Sequence, residues 1–245
     1  MSEYGKYMVA DDIGFVELIN HTGTELDVVN AARVSLHKES DWEVDLVGDY
    51  DLVQKSLSDK DRGLIKFLMR EKHGTPFEMG FMAQFRIRMP IFVAREHVRH
   101  RIGHSINEES GRYVELRPDF YIPERVREQK GKPGAYVYED TKDLEMENMF
   151  LIDLTAHSKE AYKLYKFYID AGVAKEQARM FLPLNLYTEM RWTVNARSLM
   201  NYLALRNHPA AQQEIREYAE GFEHFFSRIM PITYAAFVEN DRVSP

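Results

Sequence analysis

The sequence predicts an α+β fold: a central, mainly antiparallel twisted sheet packed with long helices, in a single domain over residues 1–245. Three observations carry this prediction. Met79, Phe81, Ala83, Phe85, Ile87 and Met89 alternate with Gly80, Met82, Gln84, Arg86 and Arg88, the period of a strand with one buried face. Two long stretches, about 142 to Asp170 and Ala210 to Ile229, have helical length and composition. Regular strand–helix alternation and a Gly-rich phosphate loop are both missing, which argues against a doubly wound parallel sheet. The 245 residues suit one sizeable domain, with two small ones as the alternative, and 44% hydrophobic with 29% charged residues supplies both core and surface.

Taken in order, residues 25 to 37 read as a short helix. Residues 58 to 72 read as a better one. Ser58 is its cap, Asp61 stands at the capping-box position, and Gly74 with Pro76 is placed to stop it. The strand is expected from Met79 to Met89. Pro90 suits the first turn of a helix over roughly 90 to 101, with Gly103 ending it. Residues 112 to 121 are read as a second strand. Lys130 to Tyr138, with Gly131, Pro133 and Gly134, reads as a loop. The long helix from 142 ends at Gly172, and a shorter one spans 174 to 181 before Pro183. Leu184 to Val194 is extended. Asn195 caps a helix to Arg206, and Pro231 opens a last short helix after the one from Ala210.

Composition excludes several classes. No apolar run approaches the roughly 18 residues of a membrane span, and Met1 to Gly5 lack the basic and apolar regions of a signal peptide, so a cytoplasmic protein is expected. The chain has no Cys, which removes disulfides, thiolate metal sites and a cysteine nucleophile. A formal net charge of −7 argues against a dedicated nucleic-acid binder.

Against that acidic background, residues 95 to 113, REHVRHRIGHSINEESGRY, gather four Arg and three His. The plain reading is a solvated helix face. Three features oppose it. The run follows the apolar PIFVA, so its helix starts buried. Arg99 and Arg101 would point about 160° apart on a continuing helix, so they serve two anions or the chain leaves the helix near His100. Gly111, between Ser110 and Arg112, lets backbone N–H groups approach a ligand. His97, His100 and His104 have ligand-like spacing, yet the guanidinia of Arg99 and Arg101 repel a divalent cation, and no metal is expected. A nucleic-acid patch is a further alternative, opposed by the shortness of the run. The reading that remains is a site for a small anionic ligand, since guanidinium forks grip phosphates bidentately. Arg179, before Pro183, and Arg197 with Asn201 at i,i+4, then Arg206, add similar stretches.

Together these stretches resemble the flavin-dependent thymidylate synthases. That family's signature is Arg-His-Arg, seven or eight residues, then Ser; here it is Arg99-His100-Arg101, eight residues and Ser110, running on to Gly111-Arg112-Tyr113. Its H-x-T-P-F-E segment appears as His73 to Glu78, its QAR…LPLNLYT at 177–188, its WTVNARSLMN…LR at 192–206, and its AARVS at 31–35. The resemblance implies reductive methylation of dUMP to dTMP, with methylenetetrahydrofolate as carbon donor and NADPH as reductant through FAD. The absence of Cys suits a chemistry without a covalent enzyme nucleophile. It implies FAD contacts from Thr75, Arg99, His100, Arg101, Glu108, Asn195, Arg197 and Asn201, and His73 near flavin and folate. It implies dUMP contacts from Glu96, Arg99, Glu108, Glu109, Ser110, Gly111, Arg112, Arg179 and Arg206, with Arg206 the catalytic residue that stabilises the uracil ring as an N3 anion. Ser110 has no activating His or acid at fixed spacing and is assigned to binding. A homotetramer with sites at subunit interfaces is implied, and neither nucleic acid nor membrane is expected as a partner. Two residues depart from the pattern: Met79 stands where many members have His, and Glu96 where many have Gln, open to pairing with Arg99 or His100. The alternatives are a non-catalytic nucleotide- or RNA-binding module and a His-ligated metalloenzyme.

Overall fold

The computed structural model describes residues 4–9, 11–47, 52–133 and 135–245. The chain divides into two compact units. One comprises Met1–Arg88, Arg95–Glu108 and Glu189–Pro245; the other comprises Met89–Ala94 and Glu109–Thr188.

In chain order, β1 (Lys6–Met8) and β2 (Phe15–Gly23) precede α1 (Glu25–Arg33). The predicted helix over 25 to 37 ends early, because 34–36 tighten into a 3₁₀ turn and His37 is left-handed at φ 51°. A small hairpin follows, β3 (Glu43–Val47) with β4 (Leu52–Ser56). Helix α2 (Asp59–Arg70) is capped as expected: Ser58 Oγ accepts from Asp61 N at 3.1 Å and donates to its carboxylate at 2.7 Å. Gly74 and Pro76 do not stop α2. They begin a separate short helix, α3 (Thr75–Met79), with Pro in its first turn, where its missing N–H costs nothing. Strand β5 (Phe81–Pro90) therefore starts two residues later than predicted, and Met79 is exposed. Pro90 closes β5 rather than opening a helix. The following helix, α4 (Ile91–His97), is shorter than the expected 90 to 101, and Gly103 sits beyond it at φ +71°.

Strand β6 (His104–Glu108) takes the place of the strand expected at 112 to 121, where the described pairing is a single bridge, Phe120 to Leu186. The stretch read as a loop forms a hairpin, β7 (Arg127–Lys132) with β8 (Ala135–Asp140); Gly131 takes φ +96°, and Gly134 lies outside the described residues. Helix α5 (Leu144–Asp170) starts on an Asp143 cap and ends at Gly172, which takes φ +90°. Then come α6 (Lys175–Ala178), β9 (Tyr187–Asn195), α7 (Ala196–Arg206), α8 (Gln213–Ile229) and α9 (Pro231–Glu239). Asn195 caps α7 by accepting from Ser198 N at 2.8 Å, as its position predicts.

The first unit is built on a sheet in the order β1-β2-β5-β9-β6. The pairs β1–β2, β2–β5 and β6–β9 are antiparallel: Val16 opposes Ile87, Leu18 opposes Phe85, and Ile106 opposes Trp192. One face carries Leu18, Phe85 and Trp192, all fully buried. Against it lies α8, whose Phe222 ring sits 5.1 Å from Phe85 and 4.9 Å from Trp192. The other face is polar. There Arg86 pairs with Glu189 at 2.6 Å and with Glu17 at 3.5 Å, and Arg191 donates to Gln84 at 3.0 Å. The period-two pattern of β5 thus separates core from polar surface, as it predicts.

In the second unit, Glu147 on α5 receives Arg125 Nε at 3.0 Å and Val126 N at 3.1 Å, anchoring the chain before β7. Asn185 donates to Tyr121 O at 2.9 Å and to Ser158 on α5 at 3.0 Å.

Candidate functional site

A cavity of about 700 Å³ opens in the first unit, where the turn after α4 meets α7. Its lining includes Arg99, His100, Arg101, Arg197, Asn201 and Arg206. Helix α4 stops at His97 because the next peptide groups turn: Arg99 N bonds Glu96 O and His100 N bonds His97 O, each at 3.3 Å. Arg99 and Arg101 therefore leave an unwound segment, and the second of the two sequence readings for them holds. Gly103 lets this segment lie flat on α7. A Cβ there would collide with Ser198 Oγ and come within 2.5 Å of Asn195 Nδ2.

The motif at 73–78 reaches the same cavity. A Cβ on Gly74 would stand 2.6 Å from Arg197 Nε, so only Gly admits the guanidinium this close to the α3 turn. Glu78 of α3 pairs with Arg197, whose Nε also donates to Pro245 O at 2.6 Å. His73 packs edge-on to Phe67 at 5.8 Å. Thr75 is exposed in the first turn of α3. Sequence reasoning assigned no role to Glu78, His104, Ser198 or Ser244, which also line the cavity. Glu78 had a signal, a lone carboxylate inside the quoted motif. Ser244 is far along the chain from every motif and had none.

Arg206, at the end of α7, is held on three sides. Its Nε donates to His100 Nε2 at 3.0 Å, Nη1 to Glu96 Oε2 at 2.9 Å, and Nη2 to Glu96 O at 3.2 Å. Glu96 thus pairs with Arg206, not with Arg99 or His100 as the sequence left open. Burial raises the Glu96 carboxyl above its ordinary value; Arg206 opposes this and Glu214 adds to it. Burial, then the charges of Arg206 and His104, push His100 down to about 4, so it is a neutral acceptor at neutral pH.

The three His of the ligand-like spacing are engaged elsewhere. His97 is fully buried, with Nδ1 3.1 Å from Tyr202 Oη, and burial pushes it down to about 3. His100 receives Arg206, and His104 Nδ1 receives Trp192 Nε1–H at 2.8 Å. Among the described residues, no group of three His, Cys, Asp or Glu side chains is arranged to hold a metal ion.

The second unit holds the rest of the expected set. Ser110 begins a turn whose carbonyl accepts from Tyr113 N at 2.9 Å. A Cβ on Gly111 would lie 3.3 Å from Arg179 Cδ, which places this turn beside Arg179. Arg112 meets Glu176 at 3.3 Å, with both side chains exposed. Glu109 lies in the same unit, whereas Glu108 ends β6 in the first.

The sequence profile of the family described as thymidylate synthase complementing protein matches residues 17–232. A flavin-dependent thymidylate synthase of Tropheryma whipplei (strain TW08/27) is 46% identical over 239 residues, covering 94% of each chain. One from Streptomyces avermitilis is 43% identical, covering 94% of this chain and 93% of its own. The chain belongs to the flavin-dependent thymidylate synthase family. That makes it an enzyme, a flavoprotein methyltransferase of dTMP synthesis, and the reading as a non-catalytic binding module is not favoured. Among solved structures, a UMP/dUMP methylase, PolB from Streptomyces cacaoi bound with 5-Br UMP, superposes with a TM-score of 0.79. It is 37% identical and covers 94% of this chain and 96% of its own. No helix among the described residues is long and apolar enough to cross a membrane.

Proposed function

We propose that the chain methylates dUMP to dTMP, taking the carbon from methylenetetrahydrofolate and the reducing equivalents from NADPH through FAD. The observation that supports it is the cavity where Arg99, Arg101, Arg197 and Arg206 converge. Four guanidinia around one space call for polyanionic ligands, and phosphate-bearing nucleotides supply that charge. The residues fit a flavin dinucleotide on two counts. Gly74 and Gly103 leave their backbone bare beside the side chains of Arg197, Ser198 and Asn195, and Asn201 adds a neutral amide to the cationic lining.

When bound, FAD supplies hydride-transfer chemistry. The chain's own residues bind, orient and hold charge. In the first unit, Thr75, Arg99, His100, Arg101, Glu108, Asn195, Arg197 and Asn201 are proposed to hold FAD, with His73 near flavin and folate. Asn195, 6% exposed and committed to the α7 cap, acts through the helix it starts. Glu96, Arg99, Glu108, Glu109, Ser110, Gly111, Arg112, Arg179 and Arg206 are proposed to bind dUMP. Arg206 is proposed to stabilise negative charge on the uracil ring. Its fork is oriented by His100 and by the backbone carbonyl of Glu96, so its direction is set before charge develops. Ser110 binds rather than attacks. We also propose a cytoplasmic homotetramer with sites at subunit interfaces, acting as one functional domain; a single profile match spanning 17–232 supports the one domain. The purified protein should be yellow and should form dTMP from dUMP only with NADPH and methylenetetrahydrofolate both present. A colourless protein that binds dUMP without turning it over refutes the reading.

A further inference from the structure

Arg206 has five N–H donors. All three of its nitrogens already serve the protein: two meet Glu96, through carboxylate and carbonyl, and the third meets His100. The pair is partly withdrawn from water, with side chains 22% exposed for Arg206 and 30% for Glu96. The groups facing Glu96 are few. Arg206 and Tyr202 from α7 and Glu214 from α8 act on it, while the neighbouring His97 and His100 of its own segment meet Tyr202 and Arg206 instead. Both His are neutral, and burial raises the Tyr202 hydroxyl, so it is neutral too. Glu96 is thus held by the Arg206 guanidinium while Glu214 adds a like charge nearby.

We propose that Glu96 is a positioning residue that serves as the resident counter-ion of Arg206, and that an anionic nucleotide displaces it from that role while Glu96 takes up a proton from solvent. The proposal rests on the reading of this cavity as a nucleotide site. Its physical basis is competition for one cation. Arg206 is the group that holds the Glu96 carboxyl down, against burial and Glu214. When ligand charge draws the guanidinium, that support weakens and a like charge stands nearby, and both changes favour the protonated acid. The balance is simple: one proton leaves the buffer and joins a Glu96 oxygen, Arg206 stays protonated, and no electron moves. A Gln would orient the same fork without competing. Glu96 therefore weakens anion binding as pH rises through the interval between its free and bound carboxyl values, and that penalty is absent below it.

Calorimetric titration of the FAD-loaded protein with dUMP tests this, in two buffers of different ionisation heat and across the neutral and mildly acid range. Ionisation of the ligand itself is common to all variants and cancels in comparison. Wild type should take up more protons per dUMP bound than Glu96→Gln. Its affinity should fall relative to that variant as pH rises, by up to about tenfold per unit of displaced pKa. Glu96→Asp keeps the charge and should keep the uptake, which guards against a Gln variant that loses its flavin. Equal proton counts with parallel pH profiles in wild type and Glu96→Gln overturn the proposal, as does loss of uptake in Glu96→Asp. If no variant and no wild type binds dUMP, the nucleotide reading of the cavity falls first and takes the counter-ion role with it.

Discussion

Arg206 and Ser110 were both assigned from the sequence, and the structure treats them differently. Arg206 closes α7 and its guanidinium is fixed by two neighbours. Arg206→Ala should leave bleaching of the yellow protein by NADPH intact and lower methyl transfer by about two to three orders of magnitude, the scale for losing a preorganised charge-stabilising donor. Stopped-flow and steady-state rates at saturating dUMP separate the two. Wild-type methyl transfer in the variant would end the catalytic assignment. Ser110 lies in a turn of the second unit, its Oγ 3.4 Å from Arg112 N. Ser110→Ala should weaken dUMP binding yet retain measurable turnover. A loss of about three orders or more with dUMP still bound would mark a nucleophile. What the sequence could not show was the partner of Glu96. Its partner lies 110 positions away on α7, and spacing within one helix says nothing of such a contact.

Caps and termini were legible where a single residue type decides them. Ser58, Asn195 and Gly172 act as their chemistry dictates. The misreadings share one cause: a signal that serves two structures. Pro90 suits a helix start and a strand end alike, and Gly-Pro at 74–76 suits a stop or a start. The hairpin of β7 and β8 was hidden because its strands are almost wholly exposed and lack an apolar stripe. The contact that most deserves a stability test joins α1 to α2. Arg33 and Asp61 are 8% and 3% exposed, and Asp61 Oδ1 also accepts from Ser40 at 2.9 Å. Burial alone would raise the Asp61 carboxyl, but Arg33, Ser58 and Ser40 outweigh it and hold it below the usual range. A depressed folded value means stability present above the unfolded carboxylate value and lost as pH falls through the folded one. Asp61→Asn should cost about 3 to 5 kcal/mol at neutral pH by leaving Arg33 buried without its counter-charge. Melting curves of wild type and variant should converge in acid. A constant gap at every pH would show that the ion pair is not the source.

The fold class was readable because one strand and two long helices carry strong periodicity, and the antiparallel sheet with its covering α8 is what they imply. The division into two units was not readable, since no linker of Gly, Ser or Pro marks it and the chain passes between them several times. The family was legible because several short motifs stand in one order along the chain, and the profile match over 17–232 bears the resemblance out. Light scattering on the FAD-loaded protein should give a mass near four chains of 28.8 kDa; a monomer that still forms dTMP at full rate would refute sites shared between subunits.

Trp192 offers an optical consequence. It is one of two Trp in the chain, fully buried against Phe222, with its indole N–H given to His104, and it borders the arginine-lined cavity. A buried indole at the wall of the proposed flavin site would be an internal fluorescent gauge. Its emission should be blue-shifted, should dim by resonance transfer as FAD fills the apoprotein, and should recover when the flavin is stripped. Trp42→Phe should leave that signal in place, so occupancy of the cavity can be followed in real time without a label.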